Sequence, residues 1–447
     1  MEFVKDAERQ SRQITMGIIG ESVEGRAIPV LKISGDTYGT NPDKIKMIMF
    51  AMLHGNEHSG KEGSLKLIRE FANGNLDHFL GNIDLMVLPL MNPDGAEETQ
   101  RRNAQNIDLN RDHLALESPE SQALRTLFMD YLPEVSVDVH EYFPYGSAWE
   151  EFGYRKDFDM QIGLVTNPNI SSEIIQYQND TFLPFMKEYI EERGYSFHNY
   201  LVGGIPNESV TRHSTVDIND GRQSMGILNT FSMIYEGKNG RDRYADNIEE
   251  RANCQYESMV GLLEFVSQNK QAIKQMVEEG RNNLIESQPG EKVAIQMEYV
   301  KGDEPLHMPL KSVSTGNDTV IVVDEYYPHV EAVLEVEKPT GYLVPAEDEK
   351  IVNLLQMHNV IITGQFVPED HDIYRYTNVT DPENARLVQL DDLPLGIGYY
   401  YVPINQLHSN MVVLALEPQS QIGLVNYDAF EYLTEEPDYP ILRVNKK

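Results

Sequence analysis

Four apolar runs of strand length set the limits on how this chain can fold. They are Ile45–Leu53, Ile83–Met91, Val135–Val139 and Ile227–Tyr235. Each is long enough for a buried strand, and each gives way to polar residues at its C-terminal end. The endings read Leu53-His54-Gly55-Asn56-Glu57, Asn92-Pro93-Asp94-Gly95, Asp138-Val139-His140-Glu141-Tyr142 and Tyr235-Glu236-Gly237. Helical patterns separate the runs. Gly60–Phe71 places Leu65, Ile68 and Phe71 on one face, and Pro119–Leu132 opens after Ser118, a good N-cap. Ser172–Arg193 reads as a long helix with a break at Pro184, and Asp242–Glu286 as one long helix or two consecutive ones. Strands alternating with helices indicate an α/β class, three-layer α/β/α over a mixed, largely parallel twisted sheet. Such sheets bind ligands in the crevice beyond the strand C-termini, so four distant segments can point at one place.

The texture changes after Gly290. Lys292–Val300, Thr319–Val323, Val330–Val336 and Tyr399–Val402 read as strands, with Ala346–His358 as a lone amphipathic helix among them. The expected organisation is a catalytic-type domain over residues 1–287 and a smaller β-rich C-terminal domain over 288–447. A length of 447 residues accommodates this.

A formal net charge of -34 argues against nucleic acid and anionic membrane surfaces as partners, because both would repel the chain. Cys254 is the sole cysteine, which excludes an intrachain disulfide and any multi-cysteine metal site. It reads as a small packing residue in a helix. A metal would have to be held by histidine and carboxylate. No apolar run approaches the ~20 residues of a membrane span, and the charged start MEFVKDAERQSRQ has no signal-peptide core.

Two histidines and one carboxylate form a known catalytic zinc set, leaving a fourth position for water. His54 and Glu57, three apart, can meet one ion from a turn, and His140 from another strand would complete the set. The commoner His-Glu-x-x-His signature is absent, since His140-Glu141 is followed by Tyr142-Phe143-Pro144.

Several segments taken together resemble the zinc carboxypeptidases of the funnelin type, the carboxypeptidase A-like metallopeptidases. They are SVEGRAIPVLKIS at Ser22–Ser34, HGNE at His54–Glu57, NPDG at Asn92–Gly95, RRNAQNIDLNRD at Arg101–Asp112, DVHEY at Asp138–Tyr142 and MIYEG at Met233–Gly237. The resemblance implies one Zn2+ held by His54, Glu57 and His140, with Asp108 bracing a zinc-binding histidine. It implies Arg101 as the group polarising the scissile carbonyl (Arg102 if the alignment slips by one) and Glu236 as general base. Asn110 and Arg111 match the pair that grips the free C-terminal carboxylate of a peptide, a task suited to a planar guanidinium. From the residues alone, Asp108 also reads as a helix or turn cap, and Arg111 and Arg222 as surface residues.

The sequence departs from the family pattern in three places. The family tyrosine expected some twenty residues before the catalytic glutamate is absent, since Pro206–Ile234 contains none. Arg222 falls near the side-chain specificity pocket, where an inward arginine would favour an acidic C-terminal side chain. Gly237-Lys238 after Glu236 gives an unusual pocket wall. The expected activity is zinc-dependent removal of the C-terminal residue from a peptide or peptide-like substrate bearing a free carboxylate. The alternatives are amide hydrolysis on peptidoglycan stem peptides or small acylated amides, and an inactive binding protein on the same scaffold. ALEPQSQIGLVNYDAFEYL and the final YPILRV resemble the β-rich tails of long bacterial members. With the acidic charge and the missing disulfides, they point to a bacterial protein, with export favoured over the cytoplasm. Oligomeric state is left open.

Overall fold

The computed structural model describes residues 1–364 and 370–447. Eight strands form the main sheet: β1 (Ile14–Glu21), β2 (Ala27–Ile33), β3 (Ile45–Ala51), β4 (Ile83–Leu88), β5 (Val135–Tyr142), β6 (Met160–Leu164), β7 (Phe197–Asn199) and β8 (Phe231–Lys238). Their order is β1-β2-β4-β3-β5-β8-β6-β7. The four apolar runs supply β4, β3, β5 and β8, which lie side by side and parallel at the centre. Both faces of these strands are covered, so their side chains are buried almost without alternation. Antiparallel partners flank them: β2 against β4, β1 against β2 and β6 against β8. The sheet is thus mixed with a parallel core.

The helices explain themselves locally. Pro119–Tyr131 starts at Ser118, whose hydroxyl accepts from the Ser121 N–H at 3.3 Å. The predicted helix over 172–193 does not break at Pro184. It continues through one wide turn at Gln178–Phe182 before Leu183–Glu192. The proline ring, lacking an N–H, displaces the carbonyls of the preceding turn, and the chain widens there instead of ending. Ile248–Ile285 is one long helix with a non-helical residue at Asn269, whose side-chain amide donates to the Phe265 carbonyl at 2.9 Å. That side-chain bond inserts into the backbone ladder where the helix is irregular.

The C-terminal residues build a second, six-stranded antiparallel sheet. Its order is Thr363–Gly364, Tyr399–Pro403, Gly341–Pro345, Asp438–Lys446, His371–Thr377, Arg386–Leu390. One apolar cluster runs from Val4 to Ile441 and includes Val293, Tyr342 and Leu414, so the C-terminal region shares a core with the large sheet. It also extends small sheets from the N-terminal part. Thr211–His213 pairs with Tyr326–Tyr327, and Tyr154–Arg155 pairs with Leu306–Ser312. Among the described residues no helix is long and apolar enough to cross a membrane.

Candidate metal centre

Three side chains from two strand ends meet beyond the sheet. The chain leaves β3 through Met52, held at a positive φ of 59°, and turns sharply so that His54 faces back over the strand ends. Glu57 follows in the same turn, immediately before the helix His58–Ala72. The turn depends on Gly55, where a β-carbon would lie 2.1 Å from the carbonyl carbon of Gly95. The Asn92-Pro93-Asp94-Gly95 segment therefore packs directly on it. Asn92 donates to the Leu53 carbonyl at 3.1 Å and accepts from the Gly95 N–H at 2.8 Å. His140 projects from β5. The ligand atoms of His54, Glu57 and His140 lie within 4.8 Å of one another, and all three residues are buried.

Ring orientation gives the fit test for a metal. His54 Nδ1 and His140 Nδ1 are 3.0 Å apart, and each is 2.8 Å from a Glu57 oxygen. Their other nitrogens face carboxylates: His54 Nε2 is 3.0 Å from Asp108 Oδ1, and His140 Nε2 is 2.7 Å from Asp138 Oδ1. Each carboxylate holds the proton on Nε2 and turns the Nδ1 lone pair inward, the arrangement that supports a metal-binding histidine. Two converging lone pairs and a carboxylate suit a borderline-soft divalent ion such as zinc. Electrostatics agree. Burial opposes ionisation of Glu57, yet His54 and His140 outweigh it and hold its pKa well below the usual carboxylate range. Burial likewise opposes charge on His140, but Asp138 and Glu57 raise its pKa. A cation is therefore favoured at this point, whether proton or metal.

Glu236 stands on β8 in register with His140 on β5. It is buried, and burial pushes its carboxyl pKa up, opposed chiefly by His140. Arg101 lies at the rim. Its Nε donates to Asp108 at 2.8 Å, while Nη1 is 3.2 Å from His54 Nδ1 and 3.9 Å from Glu57. The neighbouring Arg102 turns away to the Asn106 carbonyl. Asn110 is buried, with Nδ2 at 3.2 Å from His140 Nε2 and Oδ1 accepting from the Gly221 N–H at 2.8 Å. Arg111 is exposed, donating to the Asn110 carbonyl, and its charge reaches Tyr200, Asp217 and Asp220.

The Peptidase M14 family model, described as zinc carboxypeptidase, matches residues 1–161. That span holds both histidines and Glu57. Over those residues the chain is similar to zinc carboxypeptidases. Carboxypeptidase 2 of Trichophyton tonsurans is 25% identical over 449 residues, covering 95% of this chain and 81% of that protein. The human carboxypeptidase N catalytic chain is 25% identical over 60% of this chain and 66% of its own. The solved carboxypeptidase A of Helicoverpa armigera is 18% identical with a TM-score of 0.47, covering 60% of this chain and 72% of that one. These relatives indicate a peptidase, and the His54, Glu57 and His140 group is one that could hold the zinc of such enzymes.

Around this carboxypeptidase centre lie three groups to which the sequence alone assigned no firm place. Arg222 is buried, at 1% exposure, rather than on a surface turn. It pairs with Asp220 at 2.8 Å and bonds the Thr215 hydroxyl, while Nε and Nη1 have no partner among the described residues. Its guanidinium lies 5.9 Å from the Tyr200 ring centroid. The Tyr200 hydroxyl in turn acts on Glu236, working to lower its pKa. Tyr200 lies upstream of the window in which the family tyrosine is expected, so spacing could not find it. Lys156 donates to the Leu201 carbonyl at 3.0 Å, and burial pulls its pKa down to about 8 despite Glu236 nearby. Asp138 was also missed, although a signal was present: in a strand, residues two apart share a face, so Asp138 and His140 had to point the same way.

Proposed function

We propose that this chain removes the C-terminal residue from peptides, with Glu236 as general base. The observation that carries the reading is the register of β5 and β8, which sets Glu236 beside a buried His54–Glu57–His140 cluster. Zinc bound by His54, Glu57 and His140 supplies Lewis acidity for water and for a carbonyl oxygen. The protein's own groups do the rest. Asp108 and Asp138 hold the histidines in orientation. Glu236 takes a proton from the attacking water and delivers it to the leaving amine. Arg101 donates to the carbonyl oxygen as negative charge develops there. Arg111 and Asn110 bind the terminal carboxylate. Arg222 closes the side-chain pocket with two unpartnered N–H-bearing nitrogens, which favours a polar or acidic terminal residue.

Tyr200 fits the place left by the missing downstream tyrosine, but in a fixed rather than mobile setting. Its carbonyl accepts from Ser214 and His213, and its N–H donates to Ile162. The segment after it is braced by the C-terminal region through Tyr326–Tyr327 and through Arg212, which donates to the Tyr299 hydroxyl at 2.7 Å. We read residues 1–287 as the catalytic unit and 288–447 as the β-rich region that stiffens its specificity wall. Peptides with free and amidated C-termini test the reading. Cleavage confined to free termini supports a carboxypeptidase, while cleavage of blocked amides moves the substrate class to acylated amines.

A further inference from the structure

Four basic side chains meet where the C-terminal region docks on the helix Pro119–Tyr131. Arg125 projects from that helix and is 4% exposed. His113 lies in the loop before it, His358 follows the helix Glu349–Met357, and His408 precedes the helix Ser409–Leu416. All three histidines are buried. Two hydrogen bonds run from this group to the loop before the helix. Arg125 Nη2 donates to the His113 carbonyl at 3.2 Å, and His358 Nε2 contacts the Leu114 carbonyl at 2.8 Å. The charge of Arg125 is felt by all three rings.

Two features of this cluster are unusual. No carboxylate pairs with Arg125 among the described residues, and none acts on its charge. In addition, Arg125 Nη1, His113 Nε2, His358 Nδ1, His408 Nε2 and Ser409 Oγ are all buried without a partner among the described residues. A guanidinium cannot shed its proton in a protein, and an uncompensated buried charge is strongly destabilising. Water could satisfy the hydrogen-bonding groups but would not balance the charge.

We propose that Arg125, with His113 and His408 beside it, binds a small inorganic monoanion of the halide class at the seam between the catalytic and C-terminal regions. The three imidazoles are neutral, because burial holds their pKa values low. The cluster therefore carries one positive charge, which one monovalent anion balances and a dianion would overcompensate. The anion links Arg125 of the catalytic part to His408 of the tail, while His358 is held by the Leu114 carbonyl. It is a second site, independent of the zinc centre and of the substrate assignment.

The test is crystallography of the full chain with bromide, together with thermal unfolding in chloride, bromide, gluconate and sulfate at equal ionic strength. The expected map has an anomalous bromide peak touching Arg125 Nη1. The expected Tm rises by about 1–2 °C for each tenfold increase in halide above half-saturation, with no such rise in gluconate or sulfate, and Arg125→Gln removes the halide excess. A wild-type map with only water at Arg125, or a halide excess that survives in Arg125→Gln, overturns the proposal. If Arg125→Gln does not fold, the wild-type map decides.

Discussion

Asp138 Oδ1 lies 2.7 Å from His140 Nε2, behind the face that His140 turns to Glu57. Gly221 crowds the same carboxylate, with room for no side chain: a β-carbon there would sit 2.5 Å from Asp138 Oδ2. The brace is thus locked in place. Asp138→Asn keeps the shape but lets the imidazole choose the other tautomer. Zinc affinity should fall about 10- to 100-fold, measured by competition with a metal chelator. Unchanged affinity would mean that Asp138 is only a buried packing group.

Glu141 and Arg251 form an ion pair with three hydrogen bonds behind the centre, at 2.8, 2.9 and 3.0 Å, and both are almost fully buried. The Glu141 N–H donates to Glu57 at 3.0 Å, so the pair supports a metal-binding carboxylate through one backbone. Burial pushes the Glu141 pKa up to about 7, with Arg251 opposing. Arg251→Met leaves that carboxyl unpaired and should cost about 3–5 kcal/mol in denaturant unfolding. Arg251→Met/Glu141→Gln should recover part of the loss. A single variant as stable as wild type would contradict this.

Tyr200→Phe tests the base. The Tyr200 hydroxyl stabilises the ionised form of Glu236, working against the burial that raises its pKa. Without it, Glu236 holds its proton to higher pH. The acidic limb of the kcat/KM profile should therefore move upward, with a larger loss at pH 6 than at pH 8. A limb that stays in place would place Tyr200 outside the proton transfer.

Burial lowers the pKa of His113 and His408 to about 3 and of His213 to about 4, from an ordinary 6.5. The unfolded chain takes up protons at these positions that the folded chain refuses. Stability is then fully present above about pH 6.5 and lost as pH falls toward the folded values, by up to about 4 kcal/mol per pH unit for the three together. His408→Asn should reduce the measured slope by up to about 1.4 kcal/mol per pH unit in unfolding experiments between pH 7 and pH 5. An identical slope would show that His408 titrates normally in the folded chain.

The parallel centre of the sheet was legible because its strands are buried on both faces and read as unbroken apolar runs. The strand β1 lacks that signature: only Ile14 in it is buried, the rest being half-exposed or exposed. The cluster of His54, Glu57 and His140 was legible because each residue sits at a strand end, where a parallel sheet collects its chemistry. Arg222 was ambiguous for a physical reason. Asp220-Gly221-Arg222 looks like a turn, and only the fold shows that Asp220 caps a short buried helix and draws the guanidinium inward. Tyr200 and Lys156 reach Glu236 from loops whose paths no local pattern specifies. The seam around Arg125 needed the docking of the C-terminal region before its members could be seen together.

The central claim is that a zinc-loaded site uses Glu236 as its base on peptides with a free C-terminus. The most direct measurement is release of the terminal residue from a free-C-terminus peptide panel, including acidic and diaminopimelate stem peptides. Wild type and Glu236→Gln would be compared with zinc quantified in each. The account predicts one zinc per chain in both, release by wild type, and a loss of about 10²- to 10⁴-fold in Glu236→Gln. Zinc-loaded wild type that cleaves nothing on the panel, or a Glu236→Gln variant as active as wild type, would contradict it.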